Sequence, residues 1–287
     1  MRTATFSTLA ATVLLVAVPA HSQEALPAVD GPSGKLTLSG GGGNGNPWGG
    51  LEGAMTFPLA NRFGMQLDLA GGSVNGPRED RSAFYGAGAH VFWRDPSKGM
   101  VGIEAGGARL DALGGLNLYS AGVEAERYFG SVTLGGVMGL VDGSHATRST
   151  SQGEYRYGLK RQFVAGPYVT WYPNDNLALS ASGAIAGDNA VAGLGVEFAP
   201  ATDSAYQPSF FVRGYLGEGG RAAALAGVTF YFGGRAKSLI RRQREDDPPI
   251  GNLASLGTKG GIGMALGAIW KFKKHKDNPT QIPPTGQ

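Results

Sequence analysis

Between Ala222 and Phe232 the chain alternates strictly. Ala222, Ala224, Ala226, Val228, Phe230 and Phe232 share one parity, and Ala223, Leu225, Gly227, Thr229 and Tyr231 share the other. The first set is wholly apolar and ends in two aromatics. A period of two held over about ten residues is the pattern of a strand that crosses a membrane with one face in hydrocarbon. Such a strand is never alone, because unpaired edge N–H and C=O groups are not tolerated in lipid. It therefore predicts partners that close a ring.

The same period recurs along the chain. It predicts strands at Lys35–Ser39, Leu51–Phe57, Phe63–Gly71, Ala83–Trp93, Met100–Arg109, Leu118–Arg127 and Val132–Leu140. It continues at Arg161–Trp171, Leu177–Ala186, Val191–Phe198 and Ser209–Leu216. With the strand described first this makes about twelve. The fold class is all-β: a transmembrane antiparallel up-and-down β-barrel over residues 35–232. Pro167 removes a ladder donor, so a bulge or a weak spot is expected there. Short links at Pro58–Arg62, Arg94–Lys98, Tyr128–Ser131 and Tyr172–Asn176 alternate with longer ones such as Gly72–Ser82 and Val141–Lys160. That is the asymmetry of outer-membrane barrels, with tight turns on the periplasmic side. An even count places both termini on that side. Phe57, Phe63, Trp93, Trp171, Phe198, Phe210, Phe230 and Phe232 crowd the apolar face near the tight turns and predict an aromatic girdle. Tyr85, Tyr119 and Phe163 fall near the other rim. A soluble β-sandwich is the competing fold, in which the apolar face would be core.

Composition supports a secreted chain. Its 287 residues include 49 Gly and no Cys. Leu9–Ala20 is apolar and follows Arg2, and Val18-Pro19-Ala20 and Ala20-His21-Ser22 place small residues where a signal peptidase cuts, so residues 1–22 are expected to be a signal peptide. Residues 23–34 read as a periplasmic lead-in. The basic pI of about 9.1 is local. Residues 233–287 hold ten of the 25 Lys and Arg but four of the 22 Asp and Glu. The tail is therefore +6 and the rest −3. This is a basic, partly disordered C-terminal periplasmic tail, and no platform of interleaved aromatics and cations suggests nucleic acid. Within it, Ser238–Asp247 is expected to be solvated or to lie on the inner rim with its arginines near lipid phosphates. Ile262–Phe272 alternates too, and reads as a loosely ordered or amphipathic periplasmic segment rather than a thirteenth strand.

Three segments resemble a known group. H-V-F-W-R-D-P (His90–Pro96), Y-P-N-D-N-L (Tyr172–Leu177) and K-S-L-I-R-R-Q-R-E-D-D-P (Lys237–Pro248) are similar to segments of uncharacterised, porin-like outer-membrane β-barrel proteins of Gram-negative bacteria. The resemblance runs from about Asp30 to Pro248 and the chain departs from it beyond. It implies location and fold, and brings no catalytic or ligand residues.

The inward parity is mostly Gly, Ala, Ser and Thr. Twelve strands about 4.8 Å apart and tilted by about 40° enclose a backbone diameter of roughly 24 Å, and small side chains would leave space for water. The pore-lining candidates are Asp68, Glu104, Glu124, Arg213, His90 and Tyr168. Six strands separate the Glu104 strand from that of Arg213, so an acidic wall would face an arginine across a transverse field. The alternative is that these charges pair across the lumen and help fill it. Gly40-x-Gly42-x-x-Gly45 matches a dinucleotide fingerprint by letters alone, and Pro47-Trp48 follows it where a helix is required, so it reads as a loop. His21, His145 and His275 have no supporting constellation, and His90 is expected to be polar filler. No catalytic set, metal-ligand spacing or cofactor is expected.

The first functional expectation is a porin-like passive channel for small solutes or ions. The second is a closed structural barrel whose loops or basic tail bind cell-envelope partners. An outer-membrane lipid enzyme is third. The partners expected are outer-membrane lipids, the barrel assembly machinery and periplasmic envelope components met through the basic tail.

Overall fold

The computed structural model describes residues 26–43, 46–75, 81–111, 115–150, 153–187, 189–246 and 275–276. The expected signal peptide and the alternating segment Ile262–Phe272 lie outside them.

Twelve strands close one antiparallel barrel. They are β1 (Ser33–Gly43), β2 (Asn46–Ala60), β3 (Phe63–Asn75), β4 (Arg81–Asp95), β5 (Gly99–Leu110), β6 (Leu116–Phe129) and β7 (Val132–Gly143), followed by β10 (Gln162–Asn174), β11 (Leu177–Ala186), β12 (Asn189–Phe198), β13 (Gln207–Gly217) and β14 (Arg221–Gly233). The ring shuts where β1 pairs with β14, from Ser33 opposite Gly233 to Gly43 opposite Ala223. Every predicted strand is present, and most run longer than the side-chain period alone defines. Outward positions carry exposed Leu69, Ile103, Leu194 and Leu216, while their neighbours are buried inside. A contiguous apolar wall of this extent is what lipid contact requires.

The tight-turn rim is laced from turn to turn. Arg94 N–H donates to Arg62 O at 3.0 Å, Tyr128 to Lys98 O at 2.9 Å, Tyr172 to Ser131 O at 2.8 Å and Ala199 to Asn176 O at 2.9 Å. Gly130, at φ +52°, sits in the two-residue turn between β6 and β7, where a side chain would be strained.

The chain departs from the sequence reading in several places. Gly40–Gly43 is strand, paired on one side to β14 and on the other to β2. A glycine run has no side chains to alternate, so the period is silent although the backbone pairs normally. The long link Val141–Lys160 contains a hairpin, β8 (His145–Thr150) and β9 (Gly153–Gly158), that stands outside the ring. A two-residue strand, β15 (His275–Lys276), pairs with β9. The barrel's own ends, Ser33 and Gly233, meet at the tight-turn rim, whereas His275–Lys276 lies at the opposite one. Pro167 stays in register with Gly136 of β7. On the β11 side Gly166 and Pro167 have no partner, yet the pairing resumes without a slip. It is a weak spot and not a bulge.

The flanking segments are folded as well. Ala28 and Val29 of the lead-in are buried against Phe92 and Met100, and Ala28 N–H donates to Asn61 O at 2.7 Å. After β14 the chain turns back as α1 (Leu239–Arg241) and continues as a wider π-type turn, Arg242–Asp246. The expectation of a solvated Ser238–Asp247 is corrected by this, because Lys237, Leu239, Arg242, Gln243 and Asp246 are all buried.

Candidate functional site: the barrel interior

The inward side chains form three levels. At mid-height, four of the six pore-lining candidates converge. His90 on β4 lies opposite Glu104 on β5, and Glu124 on β6 lies opposite Gly102 of β5. Asp68 reaches in from β3. His90 Nε2 is 2.7 Å from Asp68 Oδ2, and Nδ1 is 3.1 Å from Glu124 Oε1 and 3.9 Å from Glu104 Oε2. Asp68 Oδ1 accepts from Gln66 Nε2, and Gln66 Oε1 accepts from Thr56 Oγ1, both at 2.8 Å. His90, Glu124, Gln66 and Thr56 are at most 1% exposed. This is a packed polar network. Linear spacing gave no hint of a ligand group here, because its members sit on separate strands that only the barrel brings side by side.

The fifth candidate, Tyr168, belongs to the turn-side level, and the sixth, Arg213, reaches toward it from mid-strand. The Tyr168 hydroxyl donates to Glu126 Oε1, and the Tyr128 hydroxyl donates to Glu126 Oε2 at 2.7 Å. Tyr168 fits because the facing residue is Gly135. A Cβ there would collide with its ring. Arg213 does not face the acidic wall as an unpaired charge. It pairs with Glu197 of neighbouring β12 at 3.4 Å and lies 4.4 Å over the Phe211 ring. The charges pair with neighbours on nearby strands, His90 with Asp68, Glu104 and Glu124 and Arg213 with Glu197, and the acidic cluster and Arg213 do not pair with each other.

Glu197 is the hub that the sequence reading missed. It accepts from Ser209 Oγ at 2.8 Å, Tyr231 Oη at 3.1 Å, Arg213 Nη2 at 3.4 Å and Gln243 Nε2 at 3.2 Å. The last contact joins the barrel wall to the returning C-terminal segment.

That segment seats in the turn-side mouth. Arg244 donates to Gly130 O at 2.8 Å, Val132 O at 2.9 Å and Thr133 Oγ1 at 3.1 Å, and its guanidinium stacks on Tyr128 at 4.8 Å. Gln243 Oε1 accepts from Tyr172 at 2.6 Å. Arg242 donates to Gly233 O and Ala205 O, each at 2.8 Å. Lys237 pairs with Asp30, Glu245 and Asp246, and Leu239 packs with Tyr172, Ala178, Ala199 and Tyr231. Burial pushes the Asp246 carboxyl above its ordinary range against the pull of Lys237 and Arg242. The mixed charges are thus matched to rim carbonyls and carboxylates, and we call this stretch the plug.

The loop-side level is different. Trp48, Phe84, Leu116, Leu118, Val141, Leu159, Val164, Phe211, Tyr215 and Leu225 form one buried apolar cluster inside the ring. The expectation of a mainly small, wet inner face is corrected at this level. Leu118, Val164, Phe211 and Leu225 are readable as inward by parity. Phe84 shares the inward parity of Gly86 and His90 and is readable too, whereas Trp48 and Leu116 fall just outside the predicted strands.

On the outer wall, Phe63, Trp93, Trp171, Phe198, Phe210 and Phe230 are exposed near the tight turns, with Phe57 and Phe232 half-buried beside them. Tyr85, Tyr119 and Phe163 are exposed toward the other rim.

Among solved structures the chain is similar to an outer membrane channel from Pseudomonas putida F1, at 14% identity over 75% of this chain and 99% of that one, with a TM-score of 0.53. It is also similar to the translocator domain of the autotransporter NalP from Neisseria meningitidis, at 11% identity over 75% of this chain and 90% of that one, with a TM-score of 0.52. No protein-family model and no curated protein matches the sequence. At these identities the likeness is one of fold, a closed outer-membrane-type barrel, and one such fold carries several activities.

Proposed function

We propose that this protein is a porin-like outer-membrane barrel that passes small solutes or ions, and that the plug holds it shut in the conformation described. The tight-turn rim, with the plug and the lead-in, faces the periplasm. Outer-membrane lipids contact the aromatic girdle, and the barrel assembly machinery inserts the chain. No catalytic activity is proposed.

One observation carries the reading. Ionisable and polar side chains occupy the inner face over two of its three levels, although a barrel built only to be rigid has no need of Asp68, His90, Glu104, Glu124 and Glu197 inside it. Such groups are costly to bury and are characteristic of a path for polar cargo. A second reading, a closed structural barrel, is favoured by the apolar cluster that fills the loop-side level.

Planar-bilayer recordings separate the two. The double variant Leu239→Asp, Arg244→Ala unseats the plug and is expected to conduct above the wild type. In that background Glu104→Gln and Glu124→Gln are expected to shift the reversal potential away from cation preference. A folded double variant that stays as silent as the wild type leaves the structural barrel as the correct reading.

A further inference from the structure

The mid-height cluster has more negative charge than its protein partners answer. Asp68, Glu104 and Glu124 all direct carboxylates at one imidazole, and among the described residues their ion pairs are with His90 alone. With all three ionised, even a doubly protonated His90 leaves two negative charges uncompensated in a site where only Glu104 is partly exposed. One of the oxygens stands without any partner. Glu124 Oε2 makes no hydrogen bond, although its side chain is 0% exposed and its other oxygen touches His90.

The spacing fits a metal ion. One donor atom each from His90, Glu104 and Glu124 lies within 4.8 Å of the others. Ligand bonds of about 2.1 Å at tetrahedral angles place donor atoms roughly 3.4 Å apart. The 3.1 Å and 3.9 Å separations from His90 Nδ1 bracket that value. The surroundings are built in the matching way. Nδ1 faces the two glutamates, while Nε2 faces Asp68, which accepts from Gln66, itself anchored by Thr56. A metal-bound histidine that donates its other N–H to an anchored carboxylate has its tautomer and ring orientation fixed for it. Gly102 completes the cradle, since a Cβ there would stand 2.8 Å from Glu124 Oε1 and 2.9 Å from Phe92 Cβ.

We infer that the barrel interior holds a divalent transition-metal ion of the zinc class, ligated by His90 Nδ1 and by one carboxylate oxygen each from Glu104 and Glu124. Asp68 is a positioning residue that acts through His90. The mixed nitrogen and oxygen donors suit Zn²⁺ or Co²⁺ better than Ca²⁺. The ion neutralises the excess charge and ties β4, β5 and β6 together. The inference stands whether or not the barrel conducts.

The test uses the full mature chain refolded into detergent micelles with Zn²⁺ or Co²⁺ present, so that burial does not bar entry. It is then dialysed against metal-free buffer, and folding is checked by heat-modifiable gel migration. The expected result is about one ion per folded barrel, with Co²⁺ giving the intense visible absorption of a low-coordinate site. Glu124→Gln and His90→Gln, if folded, retain no stoichiometric metal. Asp68→Asn retains the Co²⁺ spectrum but binds roughly ten- to a hundredfold more weakly. Asp142→Asn, near the loop-side end of β7, binds as the wild type does. Should the folded wild type retain no metal, or should Glu104→Gln and Glu124→Gln both bind as tightly as the wild type, the site is an ion-paired histidine and the inference is wrong.

Discussion

The two ends of the barrel interior are filled by opposite chemistry. The loop-side level is a hydrophobic core of the kind a soluble protein carries, with Leu116, Leu118 and Val141 at or below 1% exposure. The turn-side level is a hydrogen-bonded lattice in which Glu197, Arg213, Tyr231 and Gln243 depend on one another. The side chains of both are buried, but the two levels fail differently. An apolar core loses stability in proportion to the volume removed, and its remaining side chains relax into part of the space. A buried polar lattice loses little when all its members are replaced together and a great deal when one is removed, because the orphaned groups stay desolvated.

The largest effect is therefore expected from the lattice. Glu197→Leu leaves Arg213 buried without its carboxylate and removes the shared acceptor of Ser209, Tyr231 and Gln243. A loss of about 3–5 kcal/mol in urea unfolding from lipid vesicles is expected. A loss near 1 kcal/mol would mean that water reaches this level and that the contrast between the two ends is false. Next comes the loop-side core, where Leu118→Ala is expected to cost about 2–4 kcal/mol in the same assay without changing the plug. The smallest effect is expected at Tyr168→Phe. It removes one of the two phenols on Glu126 and leaves the Tyr128 bond in place, for a loss of about 1–2 kcal/mol. If Tyr168→Phe costs more than Leu118→Ala, the polar level is the more cooperative of the two to a degree that pairwise contacts do not explain.

How much of this is visible in the linear sequence follows from the same contrast. Wherever a strand alternates, as in β3, β6 and β14, parity alone assigns wall and interior, because successive side chains point to opposite faces. Asp68, Glu104, Glu124 and His90 can be placed inside on that basis. Their convergence cannot be read, since it depends on the register of four strands. Glu197 and Gln243 are 46 positions apart and meet only when the segment after β14 folds back. That segment misleads by composition. S-L-I-R-R-Q-R-E-D-D reads as solvated because its charges are dense. Yet Arg242 and Arg244 reach backbone carbonyls at the rim, and those acceptors have no signature in the sequence. The β1 glycines fail for the opposite reason, since their pairing uses only backbone groups.

The plug's anchor points have a consequence for how the molecule is made. Asp30 precedes the first strand, Gly130 and Val132 lie midway along the chain, Asp175 and Asn176 follow β10, and Gly233 ends the last strand. These points come within reach of one short segment only after the sheet has curled round and its two outer edges have joined. An unfinished sheet offers the segment no complete seat. Seating of the plug thus requires the closed ring, and a seated plug reports that the first and last strands have paired.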